Sequence, residues 1–103
     1  TLEFIVESLT SKTARAFGMF DRGEIKAGMI ADVNIIDFDE LKLHRPEAIF
    51  DLPAGGRRLV QRAEGYDITI KAGEVIFEKG EHTGALPGKL FRRSNEQPAA
   101  IEN

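Results

Sequence analysis

The sequence predicts an α+β chain, mainly β with helices at its N-terminus. Three observations carry that expectation. Apolar residues recur with helical spacing only before Gly18, and β-branched residues gather in short runs after it. Between two of those runs, Ala72-Gly73 forms a two-residue connection. With 103 residues the chain has room for one small domain.

The first helix follows from Leu2, Ile5, Val6 and Leu9, which fall at i, i+3, i+4 and i+7 on one face. That helix is under way at Thr1, as expected of a chain cut from something larger. Ser11 is placed to cap a second helix whose apolar side is Ala14, Ala16 and Phe17. Gly18 stands where a left-handed residue ends a helix, so the two helices cover about Thr1 to Phe17.

Strand grammar then takes over. Gly23 and Gly28 bracket Ile25, which reads as a short strand and a turn. Ala31 to Phe38 is β-branched, with Val33 and Ile35 on one face and Ile36 and Phe38 on the other, the pattern of a central strand. Asp39 to Pro46 reads as a polar connection and Ile49-Phe50 as a short extended piece. Pro53 to Arg58 reads as a turn or loop before Leu59-Val60. The clearest hairpin pairs Ile68–Lys71 with Glu74–Glu78 around Ala72-Gly73. Gly80, Gly84, Pro87 and Gly88 argue against regular structure beyond it, with Leu86, Leu90 and Phe91 able to tack that strip down. Ser94 to Asn103 is polar and reads as a disordered tail.

Composition narrows the function classes. A net charge of -3, from 14 basic and 17 acidic residues, lacks the electrostatic footprint of a nucleic-acid or anionic-membrane binder. No apolar run approaches the length of a membrane span. Zero cysteines remove disulfides, thiolate zinc sites and cysteine nucleophiles, and fit a reducing, cytoplasmic setting.

The chemistry-bearing residues form no complete set. His44 and His82 have no second ligand at helical spacing, and only Glu81 beside His82 could share an ion with it. Asp37 and Asp39 flank Phe38 and could bind a hard cation or divide acid and base roles, although a strand-end Asp more often caps its own turn. Asp32 interrupts an apolar run, and a structural role holding the Gly28 turn is favoured for it. Gly55-Gly56-Arg57-Arg58 could cradle an anion but lacks the P-loop spacing, so a bland turn is the stronger reading. Arg92-Arg93 is too short for a nucleic-acid patch, and Ser8, Ser11 and Ser94 sit in no nucleophile elbow. No catalytic, cofactor-binding or metal residue is therefore assigned.

Three phrases in order carry a resemblance: Leu9 to Gly18, Asp21 to Gly28 and Ala31 to Asp37. Together they resemble the closing segment of the metal-dependent amidohydrolase superfamily, with Thr13 where many relatives carry proline. Asp51 to Arg62 and Gly80 to Leu90 look like the C-terminal end of its N-acyl-D-amino-acid deacylase (D-aminoacylase) branch. The resemblance spans roughly Leu2 to Arg93. It implies a parent hydrolase of amide bonds in N-acyl-D-amino acids, built on a (β/α)₈ barrel holding zinc, with a β-sandwich made from both chain ends. Residues 1–18 would then be barrel-associated helices, 19–93 the sandwich segment and 94–103 the tail. The family's metal ligands, beginning with a His-x-His pair, would all lie upstream, so none has a counterpart in this sequence. The partners implied are the rest of the parent enzyme, or another copy of this chain covering its open faces. The alternative is a stand-alone β-sandwich binding module without catalysis.

Overall fold

The computed structural model describes residues 1–92; the expected tail at 94–103 lies outside them. Two compact units emerge. The first holds Thr1–Val33, Lys71–Glu74 and the segment 87–92; the second holds Asn34–Ile70 and Val75–Leu86.

In the first unit, helix α1 (Leu2–Leu9) forms as its apolar period predicts, and the Thr1 hydroxyl caps it by accepting from Phe4 N–H at 3.2 Å. Helix α2 (Ser11–Ala16) follows directly. Its N-cap position is Thr10, not the expected Ser11, and no side chain caps it. The Thr10 hydroxyl instead donates back to Val6 C=O at 2.6 Å, a carbonyl in the last turn of α1, while its own backbone breaks out of the helix at φ -123°. Gly18 closes α2 as expected. At φ 72° it donates to Arg15 C=O, while Met19 N–H reaches Ala14 C=O, the paired bonds of a Schellman motif.

The strand expected around Ile25 does not form. Residues 20–30 are turns and bends, and Ile25 is 90% exposed with nothing packed on it. Two backbone bonds, Ile30 N–H to Asp21 C=O and Met29 N–H to Lys26 C=O, tie the excursion to itself rather than to a ladder.

The second unit holds a long ribbon and all of a four-stranded sheet except Val33, Lys71 and Glu74. The sheet has the order β1 (Val33–Ile36), β6 (Tyr66–Lys71), β7 (Glu74–Glu78) and β8 (Glu81–His82). The ribbon nests β2 (Lys42–Leu43) against β5 (Ala63–Glu64) and β3 (Glu47–Leu52) against β4 (Gly56–Val60). A tight turn at Pro53–Gly55 closes it, with Ala54 and Gly55 at φ 60° and 70°, and a register irregularity falls between Ile49 and Leu52.

Four expectations are corrected here. Strand β1 is shorter than Ala31 to Phe38 and lies at the sheet edge, not its centre. Its apolar residues on both faces are open instead of sandwiched, Ile35 at 46% and Ile36 at 43% exposure. The polar connection at 39–46 contains β2, and the loop read at 53–58 is mostly a turn plus strand β4. Regular structure also continues past Gly80, because Lys79 and Gly80 both take positive φ and fold β8 back onto β7.

The Ala72-Gly73 hairpin forms as expected, with φ 50° and 82° at the two turn residues, the signs a type I′ turn requires. Gly65 is needed at the corner between β5 and β6. It sits at φ 92°, and a Cβ there would lie 2.9 Å from the Leu41 backbone and 3.0 Å from Asp37 C=O. That close approach lets Asp37 N–H donate to Gly65 C=O at 2.8 Å. Among the described residues no hydrophobic side chain is buried, so neither unit encloses an apolar core of its own.

Candidate functional site

The densest charged cluster lies in the first unit around Asp32. One carboxylate oxygen accepts from Ala72 N–H at 2.9 Å, and Lys71 Nζ donates to both oxygens at 2.9 and 3.1 Å. Arg22 Nη1 reaches the same carboxylate at 3.5 Å. Arg22 is itself held by Asp21, through Nε at 3.0 Å and Nη2 at 3.3 Å. Its guanidinium lies 4.9 Å from the centre of the Phe91 ring.

Electrostatics follow from that geometry. Partial burial pushes the Asp32 carboxyl up, but the Ala72 N–H, the Lys71 ammonium and Arg22 outweigh it and hold Asp32 below the ordinary carboxylate range. The Arg22 hydrogen bond lowers Asp21, and Asp21 in turn raises Arg22. The sequence predicts that Asp32 serves the Gly28 turn; it serves the β6–β7 turn instead, and Gly73 N–H bonds Ala31 C=O at 3.0 Å beside it. The expected structural role is kept but its object changes, because strand pairing brings residue 72 to it across 40 positions.

Beside this cluster is a hollow of about 360 Å³, lined in part by Phe20, Arg22, Lys71, Lys89, Leu90 and Arg92. The three apolar residues expected to tack the last strip down stay exposed, Leu86 at 85%, Leu90 at 79% and Phe91 at 37%, and Phe91 meets the Arg22 guanidinium.

The second unit carries a broader groove of about 1090 Å³ whose lining includes His44, Glu47, Glu64, Tyr66, Phe77 and Glu81. His44 Nε2 is 3.0 Å from Glu64 Oε1 across the β2–β5 pair. His82 is turned away from Glu81 chemistry: its Nδ1 accepts from Gly84 N–H at 2.9 Å, and its ring meets Phe77 edge-on at 5.0 Å. Asp37 accepts from Asp39 N–H at 3.2 Å, the turn-capping reading of that pair. Arg58 grips Asp51 with two bonds of 2.7 and 2.6 Å, which takes it out of any anion cradle at Gly55-Gly56. That contact lowers Asp51 and raises Arg58. Ser8 donates to Phe4 C=O within α1.

Among the described residues no three His, Cys, Asp or Glu side chains converge as metal ligands, so these residues do not fit a zinc site. No helix among them is long and apolar enough to cross a membrane. The arrangement as a whole can clamp a hairpin, steer charge and offer a small hollow. Among the described residues no nucleophile, base and acceptor come together. The cluster at Asp32 could have been anticipated only in part: a lone carboxylate in a strand is a visible signal, its partners Lys71 and Arg22 are not. Comparison with known protein families, with curated proteins and with solved structures found no match to this chain.

Proposed function

We propose that this chain is the C-terminal, non-catalytic portion of a metal-dependent amidohydrolase acting on N-acyl-D-amino acids. Its task in that enzyme is structural. It completes a β-sandwich shared with upstream strands and packs its two helices against the barrel. The observation that carries the reading is the ordered run of phrases from Leu9 to Asp37, Asp51 to Arg62 and Gly80 to Leu90. A second observation supports it: apolar residues with strand and helix periodicity stand open, among them α1's Ile5 and β4's Leu59, at 54% and 73% exposure. Periodic apolar faces of this kind serve burial against another surface.

The test is the coding sequence around Thr1, followed by assay of its product. The expected result is an in-phase reading frame encoding a barrel with a His-x-His pair, whose product releases D-amino acids from their N-acyl forms in a zinc-dependent reaction. Initiation at residue 1, or a full-length product without such a barrel, overturns the proposal and leaves the stand-alone module. An in-phase barrel whose product hydrolyses no N-acyl-D-amino acid removes the substrate class.

A further inference from the structure

We propose that the hollow beside Arg22 in the first unit binds a small organic anion, a carboxylate carried on an apolar or aromatic body. The proposal stands apart from the amidohydrolase reading and uses only residues of this unit.

Charge comes first. The lining contributes four cations, Arg22, Lys71, Lys89 and Arg92, against one carboxylate, Asp21. Asp32 behind Lys71 cancels part of that excess, and the balance remains positive. Two of the cations are fixed in place. Arg22 is gripped by Asp21 and lies over Phe91, and Lys71 is gripped by Asp32, so neither gives up much side-chain freedom when an anion arrives. Lys89 and Arg92 have no ion-pair partner among the described residues and supply charge that is still to be matched.

The apolar lining then selects among anions. Phe20, Ile30, Leu90 and Phe91 border the same hollow. Inorganic phosphate would use the cations and leave those surfaces wet. A carboxylate with a ring or alkyl body would meet the cations with one end and cover Leu90, now 79% exposed, with the other. The volume of about 360 Å³ suits a ligand of that size and excludes a macromolecule.

The experiment titrates the full chain with benzoate, benzyl alcohol and inorganic phosphate, following backbone amide resonances. Benzoate is expected to give saturable shifts centred on Phe20, Ile30 and Leu90, with the neutral alcohol and phosphate each binding about tenfold more weakly or not at all. The exposed double variant Lys89→Gln/Arg92→Gln should weaken benzoate by about tenfold. Raising salt from about 0.05 to about 0.5 M should weaken it as well, since the hollow is open to solvent and its charges are screened. Absence of saturable benzoate shifts overturns the proposal. So does equal binding of benzyl alcohol, equal or tighter binding of phosphate, or salt-independent affinity. If the double variant fails to fold, the salt and ligand comparisons on the natural chain decide alone.

Discussion

Asp32 and Lys71 lie 39 positions apart in the chain, yet the Lys71 ammonium sits 2.9 Å from one Asp32 oxygen and 3.1 Å from the other. The neighbouring residue, Ala72, donates its backbone N–H to the same carboxylate. One side chain thus fixes both the last residue of β6 and the first residue of the β6–β7 turn. Ala72 holds φ 50° there, a conformation that costs an L-residue about 1–2 kcal/mol. The Asp32 contact offsets that cost.

Replacing Asp32 by Ala should therefore destabilise the chain by about 1 kcal/mol, the net worth of a hydrogen-bonded clamp whose donors water can reach. Asp32→Asn keeps an acceptor for Ala72 N–H and loses the ion pairs, so it should fall between the two. Urea melts of the three proteins check the order. An unchanged midpoint for Asp32→Ala contradicts the clamp.

The same cluster sets an acid limit. Asp32 and Asp21 both titrate below their ordinary values in the folded chain, so around and below pH ~4 the unfolded chain binds more protons than the folded one. Their contribution is fully present above the ordinary carboxylate pKa of about 3.9 and is lost as pH falls through the folded values. Thermal melts from neutral to acid pH should show Tm falling in that window. Asp32→Asn should make the fall shallower, and an equally steep fall would assign it to other carboxylates.

Glycine substitutions should separate conformational cost from collision. Gly28→Ala adds a Cβ with nothing within 4 Å, so only its φ of 86° is at stake, about 1–2 kcal/mol. Gly65→Ala adds the same φ cost and drives the Cβ to 2.9 Å from Leu41 backbone atoms, which cannot swing aside as a side-chain tip can. Gly65→Ala should cost clearly more than Gly28→Ala in a denaturant melt. Equal losses would show that the β5–β6 corner relaxes.

What could be read in advance divides along locality. The α1 face, the Gly18 stop and the Ala72-Gly73 hairpin each depend on residues within one turn or one hairpin, and each formed where the pattern placed it. The ribbon was harder. Pro53 and Gly55 mark its turn, but Gly56-Arg57-Arg58 has no β-branched residue to announce a strand, and its order comes from pairing with Glu47–Leu52. β8 is two polar residues held by a type I′ turn. Strand β1 misled because apolar residues on both faces normally mean a central strand, and here both faces stand open. The site at Asp32 was visible as a lone carboxylate, but its partners arrive only through the sheet.

Those open faces lead to the remaining prediction, self-association of the chain in solution. Along α1, Leu2, Ile5, Val6 and Leu9 are all exposed, from 48% at Leu2 to 76% at Leu9. Strand β1 adds Ile35 and Ile36 at a sheet edge, where backbone donors and acceptors face outward unpaired. Apolar stripes and bare edges draw partners, and without another protein the available partner is a second copy. Sedimentation should therefore show a dimer or larger species whose weight rises with concentration. Ile5→Glu with Leu9→Glu places two charges in the stripe, and these exposed sites leave the helix backbone intact, so the double variant should shift the population toward monomer while keeping its far-ultraviolet helix signal. A natural chain that stays monomeric at every concentration, with its α1 amides exchanging as an open helix, removes the association. A variant that associates as strongly as the natural chain moves it from α1 to the β1 edge, where Ile35→Lys is then expected to break it.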